Sequence, residues 1–106
     1  MPQIQKSAKN LLASPNAQPF KDKNFSISFY KQMLRVRALE ERLIKMSKSG
    51  DGFFWIGGPG EEAFNVSLGM LVDKGQGLEH DILHLHYRNI GTALTMGCPM
   101  IHFIRQ

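Results

Sequence analysis

The 106 residues include one cysteine, Cys98, one tryptophan and two tyrosines. A single thiol cannot close an intrachain disulfide, nor can it supply the thiolate set of a structural zinc site. Long apolar runs are missing too. The longest, Phe53 to Ile56, has four residues, far short of the roughly 20 that span a bilayer. Acid is scarce at the front of the chain. Asp22 is the first carboxylate, and the stretch before it carries lysine but no arginine. It therefore lacks the arginine of an organelle transit peptide, and no apolar stretch follows its lysines as a secretory signal requires. The location expected is the bacterial cytoplasm, ahead of a mitochondrial matrix.

The net charge of +4 hints at nucleic acid until it is located. Lys6, Lys9, Lys21 and Lys23 against Asp22 place +3 of it in residues 1–24, so the remaining 82 residues hold 9 basic and 8 acidic groups. A small basic helical module that binds nucleic acid gathers its cations on one ordered face with aromatic platforms. That reading stays as the alternative from another class. Pro2, Ser14-Pro15-Asn16 and Pro19 interrupt residues 1–24, which read as a flexible basic leader. Residues 25–106 read as the organised part, one domain at most for this length.

Phe29, Tyr30, Met33, Leu34, Val36, Leu39, Leu43, Ile44 and Met46 recur at three- and four-residue steps. They predict a helix from about Ser28 to Lys48, capped by Ser26 or Ser28 and ended by Gly50. Arg37 with Glu41, and Glu41 with Lys45, fall four apart on its wet face. Arg35, Arg37 and Arg42 read as solvated surface. A second helix is expected near Gly60, with Glu61 and Glu62 in its first turn, where the helix dipole favours negative charge. Ala63, Phe64, Ser67, Leu68, Leu71 and Val72 form its apolar stripe. Asp81 to Tyr87 reads as a short strand, and Asn89 to Met96 as a third helix. Pro99 opens a fourth, with Met100, Ile101, Phe103 and Ile104 apolar. So short a last helix is marginal in water without tertiary support. The chain is accordingly expected to be the amino-terminal piece of a longer protein.

Several motifs invite chemistry. Gly57-Gly58-Pro59-Gly60 could aim backbone N–H groups at an anion, but it has neither P-loop nor dinucleotide spacing and reads as a tight turn. His84 and His86 would share a face on a strand and His80 and His84 on a helix; with those readings in conflict and no Cys partner, they read as surface or hydrogen-bonding histidines rather than metal ligands. Gly50-Asp51-Gly52 imitates the start of a magnesium and thiamine diphosphate motif. No buried strand precedes it and no suitably spaced asparagine follows, so it reads as a turn. Tyr87-Arg88 differs in kind. At the carboxyl end of the expected strand it sits where open α/β sheets gather ligands, and an arginine there can grip a phosphate bidentately beside a phenol donor. Local physics leaves that pair open between a surface turn and an anion grip.

The order of these pieces carries a resemblance. Phe29-Tyr30-Lys31-Gln32-Met33-Leu34-Arg35-Val36-Arg37-Ala38-Leu39-Glu40-Glu41-Arg42-Leu43 precedes Gly60-Glu61-Glu62-Ala63, and Tyr87-Arg88-Asn89-Ile90-Gly91 follows with Ala93-Leu94 and Gly97. Residues 28–106 resemble the amino-terminal part of the alpha subunit of the thiamine diphosphate-dependent 2-oxo acid dehydrogenases, the decarboxylating first component of the pyruvate and branched-chain complexes. The resemblance implies an α/β fold, helices and the first strand of a parallel-sheet thiamine diphosphate-binding domain, incomplete and mostly helical over this length. It also implies oxidative decarboxylation of a 2-oxo acid with acyl transfer to lipoamide. The cofactor supplies the hard chemistry and the protein supplies orientation and electrostatics. Tyr87 and Arg88 would hold the diphosphate, and Phe54, Trp55 and Ile56 would line the substrate pocket. The implied partners are a beta subunit and a second alpha subunit, in a heterotetramer, and the lipoyl acyltransferase component. Ile56 and Ile90 stand where pyruvate-type or many other members carry His, a departure that leans toward a larger apolar substrate. The magnesium ligands would lie outside this chain, which alone is expected to be inactive. A non-catalytic fragment that only contacts a partner subunit is compatible with the same resemblance.

Overall fold

Asp22 opens the first helix, ahead of the serines expected to cap it. The structure is a computed structural model that describes residues 16, 18–51 and 55–105. In it the Asp22 carboxylate accepts the Phe25 N–H at 2.6 Å, and α1 spans Lys23–Ser49. A capping carboxylate satisfies an orphan N–H and also suits the positive end of the helix dipole. The Ser26 hydroxyl donates instead to the Phe20 carbonyl. Gly50 ends α1 at φ +81°, a left-handed conformation that glycine adopts without a Cβ clash. Ahead of α1, Pro19–Lys21 form a 3-10 turn, and Phe20 packs edge-on to Phe25 and Phe29. Residues 19–24 therefore belong to the helical body rather than to the leader. Residues 1–15 and 17 of that leader lie outside the described residues.

The face that α1 buries is Phe25, Phe29, Gln32, Val36, Leu39, Glu40 and Leu43. The three- and four-residue steps hold, but Gln32 and Glu40 occupy places on that face and are each 1% exposed. Tyr30 and Leu34, counted with the apolar face in the sequence, turn to solvent. Gln32 donates to the Thr95 hydroxyl, which in turn donates to the Gly91 carbonyl, so the buried amide is satisfied.

The second helix, α2, spans Glu62–Leu71 and buries Glu62, Asn65, Val66, Gly69 and Met70. This corrects the expected stripe, because Ala63, Phe64 and Leu71 are exposed. The reason is close approach to α3, Ile90–Thr95. A Cβ added at Gly69 would lie 2.6 Å from the Thr95 Cβ, so the helices touch closely at Gly69, and α2 turns Val66 and Met70 rather than Phe64 and Leu71 inward. The core joins Val36, Leu39 and Leu43 of α1 to Val66 and Met70 of α2 and Ile90 and Leu94 of α3. Each such side chain contributes about 1.5–3 kcal/mol when fully buried. The last helix, α4, spans Met100–Ile104 with Pro99 at its start, and Met100, Phe103 and Ile104 pack against this core.

Residues 81–86 form no strand, and Tyr87 and Arg88 lie in a turn. Backbone N–H and C=O groups of a strand need a neighbouring strand to pair with. Among the described residues there is none, and Ile82 and Leu85 are exposed. The described residues are thus helical, without the sheet of the expected α/β fold. Arg37 also departs from expectation: its Nε donates to Glu62 on α2. A cross-helix carboxylate, nearly buried and fixed in place, gives a better-aligned partner than a solvated i+4 neighbour.

Candidate functional site

The turn carrying Tyr87 and Arg88 is fixed from below by buried amides. Asn65 of α2 donates to the Arg88 carbonyl at 3.0 Å and accepts from the Asn89 amide at 2.9 Å and the Thr92 hydroxyl at 3.0 Å. Asn89 in turn accepts the His86 N–H, and the Arg88 N–H donates to His86 Nδ1. Both ends of the turn are therefore pinned, while the side chains of Tyr87 and Arg88 stay in solvent. The Arg88 guanidinium lies over the Tyr87 ring, 5.6 Å from its centroid. A hydrogen bond with Tyr87 holds it above the ordinary arginine pKa. The result is a permanent cation exposed on a turn whose backbone is held at both ends.

Beside the turn lies a cleft of about 240 Å³ lined by Trp55, Leu85, His86, Tyr87, Asn89, Ile90, Ala93 and Phe103. Its walls are mainly apolar and aromatic, with polar groups at the Tyr87 side. Trp55 is held there by Glu40 of α1. One carboxylate oxygen accepts the Trp55 indole N–H at 3.1 Å, and the other accepts the Gly58 N–H at 3.1 Å. Desolvation by burial pushes the Glu40 carboxyl above the ordinary glutamate range, with Glu62 and Glu61 adding to the rise and the two N–H donors opposing it.

Glycine is required twice in this loop by contact. A Cβ at Gly57 would lie 2.0 Å from Glu40 Oε2, and one at Gly58 would lie 2.7 Å from the Arg88 carbonyl oxygen. The glycines do present N–H groups to anions, but those anions belong to the chain itself: Gly58 serves Glu40 and Gly60 serves Glu62. Glu62, bonded to Arg37, has its pKa lowered chiefly by that bond.

The structure thus brings Trp55 and Tyr87 to one cleft, with Arg88 next to it. Ile56 does not line the cleft and is 42% exposed. Phe54 lies outside the described residues. Gly50 and Asp51 form the end of α1 and a bend. Among the described residues no group of three or more His, Cys, Asp or Glu side chains is placed to hold a metal. His80 instead meets Asp73 at 3.4 Å. The sequence reading missed Glu40, Asn65 and Asn89. Glu40 left a signal, since it stands four residues after Val36 and three before Leu43, on the face that α1 buries. Asn65 left none.

No family model matches the chain, and no curated protein or solved structure is significantly similar to it. No helix of the described residues is long and apolar enough to cross a membrane.

Proposed function

We propose that the chain is part of the alpha subunit of a thiamine diphosphate-dependent 2-oxo acid dehydrogenase, with an α/β cofactor-binding fold that its helices begin. One observation carries the reading. Trp55 and Tyr87, given to substrate and cofactor by separate parts of the resemblance, line the same cleft, and Arg88 adjoins it. The residues present fit the anionic end of the cofactor. Arg88 is a solvated guanidinium able to bond two phosphate oxygens, and the Tyr87 phenol stands beside it. Among the described residues no group is placed to hold magnesium, whose ligands this reading assigns outside this chain. When bound, thiamine diphosphate supplies the carbanion chemistry of decarboxylation. Arg88 offsets phosphate charge, the Asn65 network keeps its backbone still, and Trp55 presents an apolar wall to the substrate side chain.

The proposed partners are a beta subunit, a second alpha subunit and a lipoyl acyltransferase. What supports partner docking is exposed apolar surface, including Tyr30, Leu34, Phe64 and Leu71.

Calorimetric titration of thiamine diphosphate with magnesium into the chain assembled with a beta subunit tests the assignment. Loss of a charge-assisted phosphate bond in Arg88→Ala should weaken affinity by roughly 10- to 150-fold. An unchanged dissociation constant would show that the Tyr-Arg assignment is wrong. The chain by itself, lacking magnesium ligands among its described residues, should bind the cofactor only weakly.

A further inference from the structure

The Glu40 carboxylate occupies an unusual place. It is 1% exposed, yet its bonding partners are two neutral donors, the Trp55 indole and the Gly58 N–H. A buried carboxylate is costly unless its surroundings use the charge. Here each oxygen fixes one end of a four-residue loop. Trp55 at one end is a wall of the cleft, and Gly58 at the other packs on the backbone of Arg88. A single side chain on α1 therefore reaches both halves of the site without touching either ligand position.

We propose that Glu40 is a positioning residue: its charged carboxylate latches loop 55–58, and so sets the Trp55 wall of the cleft and the seat of the Arg88 turn. The inference rests on reading that cleft as the substrate side of the site. The charge matters because a carboxylate accepts on both oxygens at once. A protonated acid or an amide turns one oxygen into a donor facing an N–H, so one of the two bonds must break. The groups that face Glu40 are Arg37 on its own helix and Glu61 and Glu62 on the α2 side, with Trp55 from the loop.

Trp55 is the sole tryptophan, which gives the test a reporter. Tryptophan emission and acrylamide quenching are measured on the 106-residue chain, its Glu40→Gln variant, and Glu41→Gln, whose site is solvated. Helicity is followed by circular dichroism. Glu40→Gln should shift Trp55 emission to the red and raise the quenching constant at least about twofold with helicity retained, whereas Glu41→Gln should change neither. Titration with 4-methyl-2-oxopentanoate should quench wild-type Trp55 saturably and bind Glu40→Gln at least about fivefold more weakly.

A folded Glu40→Gln variant with wild-type emission overturns the latch. So does shifted emission with unchanged ligand affinity, because Glu40 would then not act on the cleft. If the ligand fails to quench the wild type, the reading of the cleft falls, while the emission comparison still decides whether Glu40 fixes Trp55. Should Glu40→Gln not fold, acid titration of the wild type replaces it. A red shift at a pH above the ordinary glutamate range, before helicity is lost, supports the latch. Emission that stays constant while helicity holds, or that changes only as helicity collapses, overturns it.

Discussion

Asn65, 1% exposed, joins α2 to the site turn through four hydrogen bonds, two on its Oδ1, one from its amide and one on its own carbonyl. Removing the side chain strands the Asn89 amide and the Arg88 carbonyl, while the Thr92 hydroxyl keeps the Asn65 backbone carbonyl. Asn65→Ala should therefore destabilise the chain by about 3 kcal/mol, since a buried unsatisfied polar group costs about 1–3 kcal/mol. Urea unfolding measures this. Arg88→Ala should leave the urea midpoint in place, because its side chain is solvated and the work proposed for it is on a ligand. The proposed ligand contact of Arg88 and the structural role of Asn65 are thus separable by experiment.

Glu40 and Glu62 make opposite predictions for pH. Glu40 has a pKa raised above the ordinary 4.5. In the window just above that value the folded chain binds more protons than the unfolded one, so stability falls as pH rises through it. Glu62 has a lowered pKa. Its contribution is complete above 4.5 and is lost as pH falls below that value. Urea midpoints of wild type and Glu40→Gln, compared from acid toward neutrality, should converge on the acid side and diverge in favour of the variant as pH rises. A difference that is constant across pH would show that Glu40 does not titrate in that window.

At the scale of elements, α1 is secured at its ends and α2 by its face. Asp22→Ala should cost about 1 kcal/mol through loss of the cap on Phe25, and Ser26→Ala should cost less, since its hydroxyl caps nothing in the helix. Gly69→Ala should be more damaging. Its new methyl meets the Thr95 Cβ at 2.6 Å and the Thr92 carbonyl oxygen at 2.9 Å, and a backbone neighbour cannot swing aside. Overpacking of this kind costs about 1–3 kcal/mol, read as a lowered thermal midpoint. The same displacement of α3 should carry Ile90 and Ala93 away from the cleft they line.

For the whole molecule the outstanding property is the apolar surface left over. Phe64 and Leu71, seven residues apart on α2, are 61% and 48% exposed. Leu71 and Phe20 also flank a second groove of about 110 Å³ with Pro19, Phe25, Phe29, Ser67 and Met70. Patches of this type drive association. Sedimentation velocity on the chain should show concentration-dependent self-association, and Leu71→Lys should reduce it without loss of helicity. A monomer at every concentration would count against the subunit-docking role of that face.

Local signals in the sequence determined where helices run, because caps, periodicity and breakers act within a turn or two. Gly50 ends α1, Pro99 opens α4, and residues 90–95 are helical as their pattern implies. Tyr87-Arg88 drew notice as the end of an expected strand, and among the described residues it lies in a turn instead. Facing is another matter. Which side of α2 is buried, which carboxylate Arg37 meets, and why Glu40 lies on an inward face all depend on the shape of neighbours distant in the chain. Gln32 and Thr95 are 63 residues apart, and Asn65 and Arg88 are 23 apart. Hydropathy favoured Phe64 and Leu71 for the core, but the close approach at Gly69 turned α2 so that Val66 and Met70 are buried with Asn65 and Glu62 instead. Alternation favoured a strand at Asp81 to Tyr87, but a strand forms only against another. The tertiary structure decided these points because packing is a property of pairs, and a sequence read locally states only one member of each.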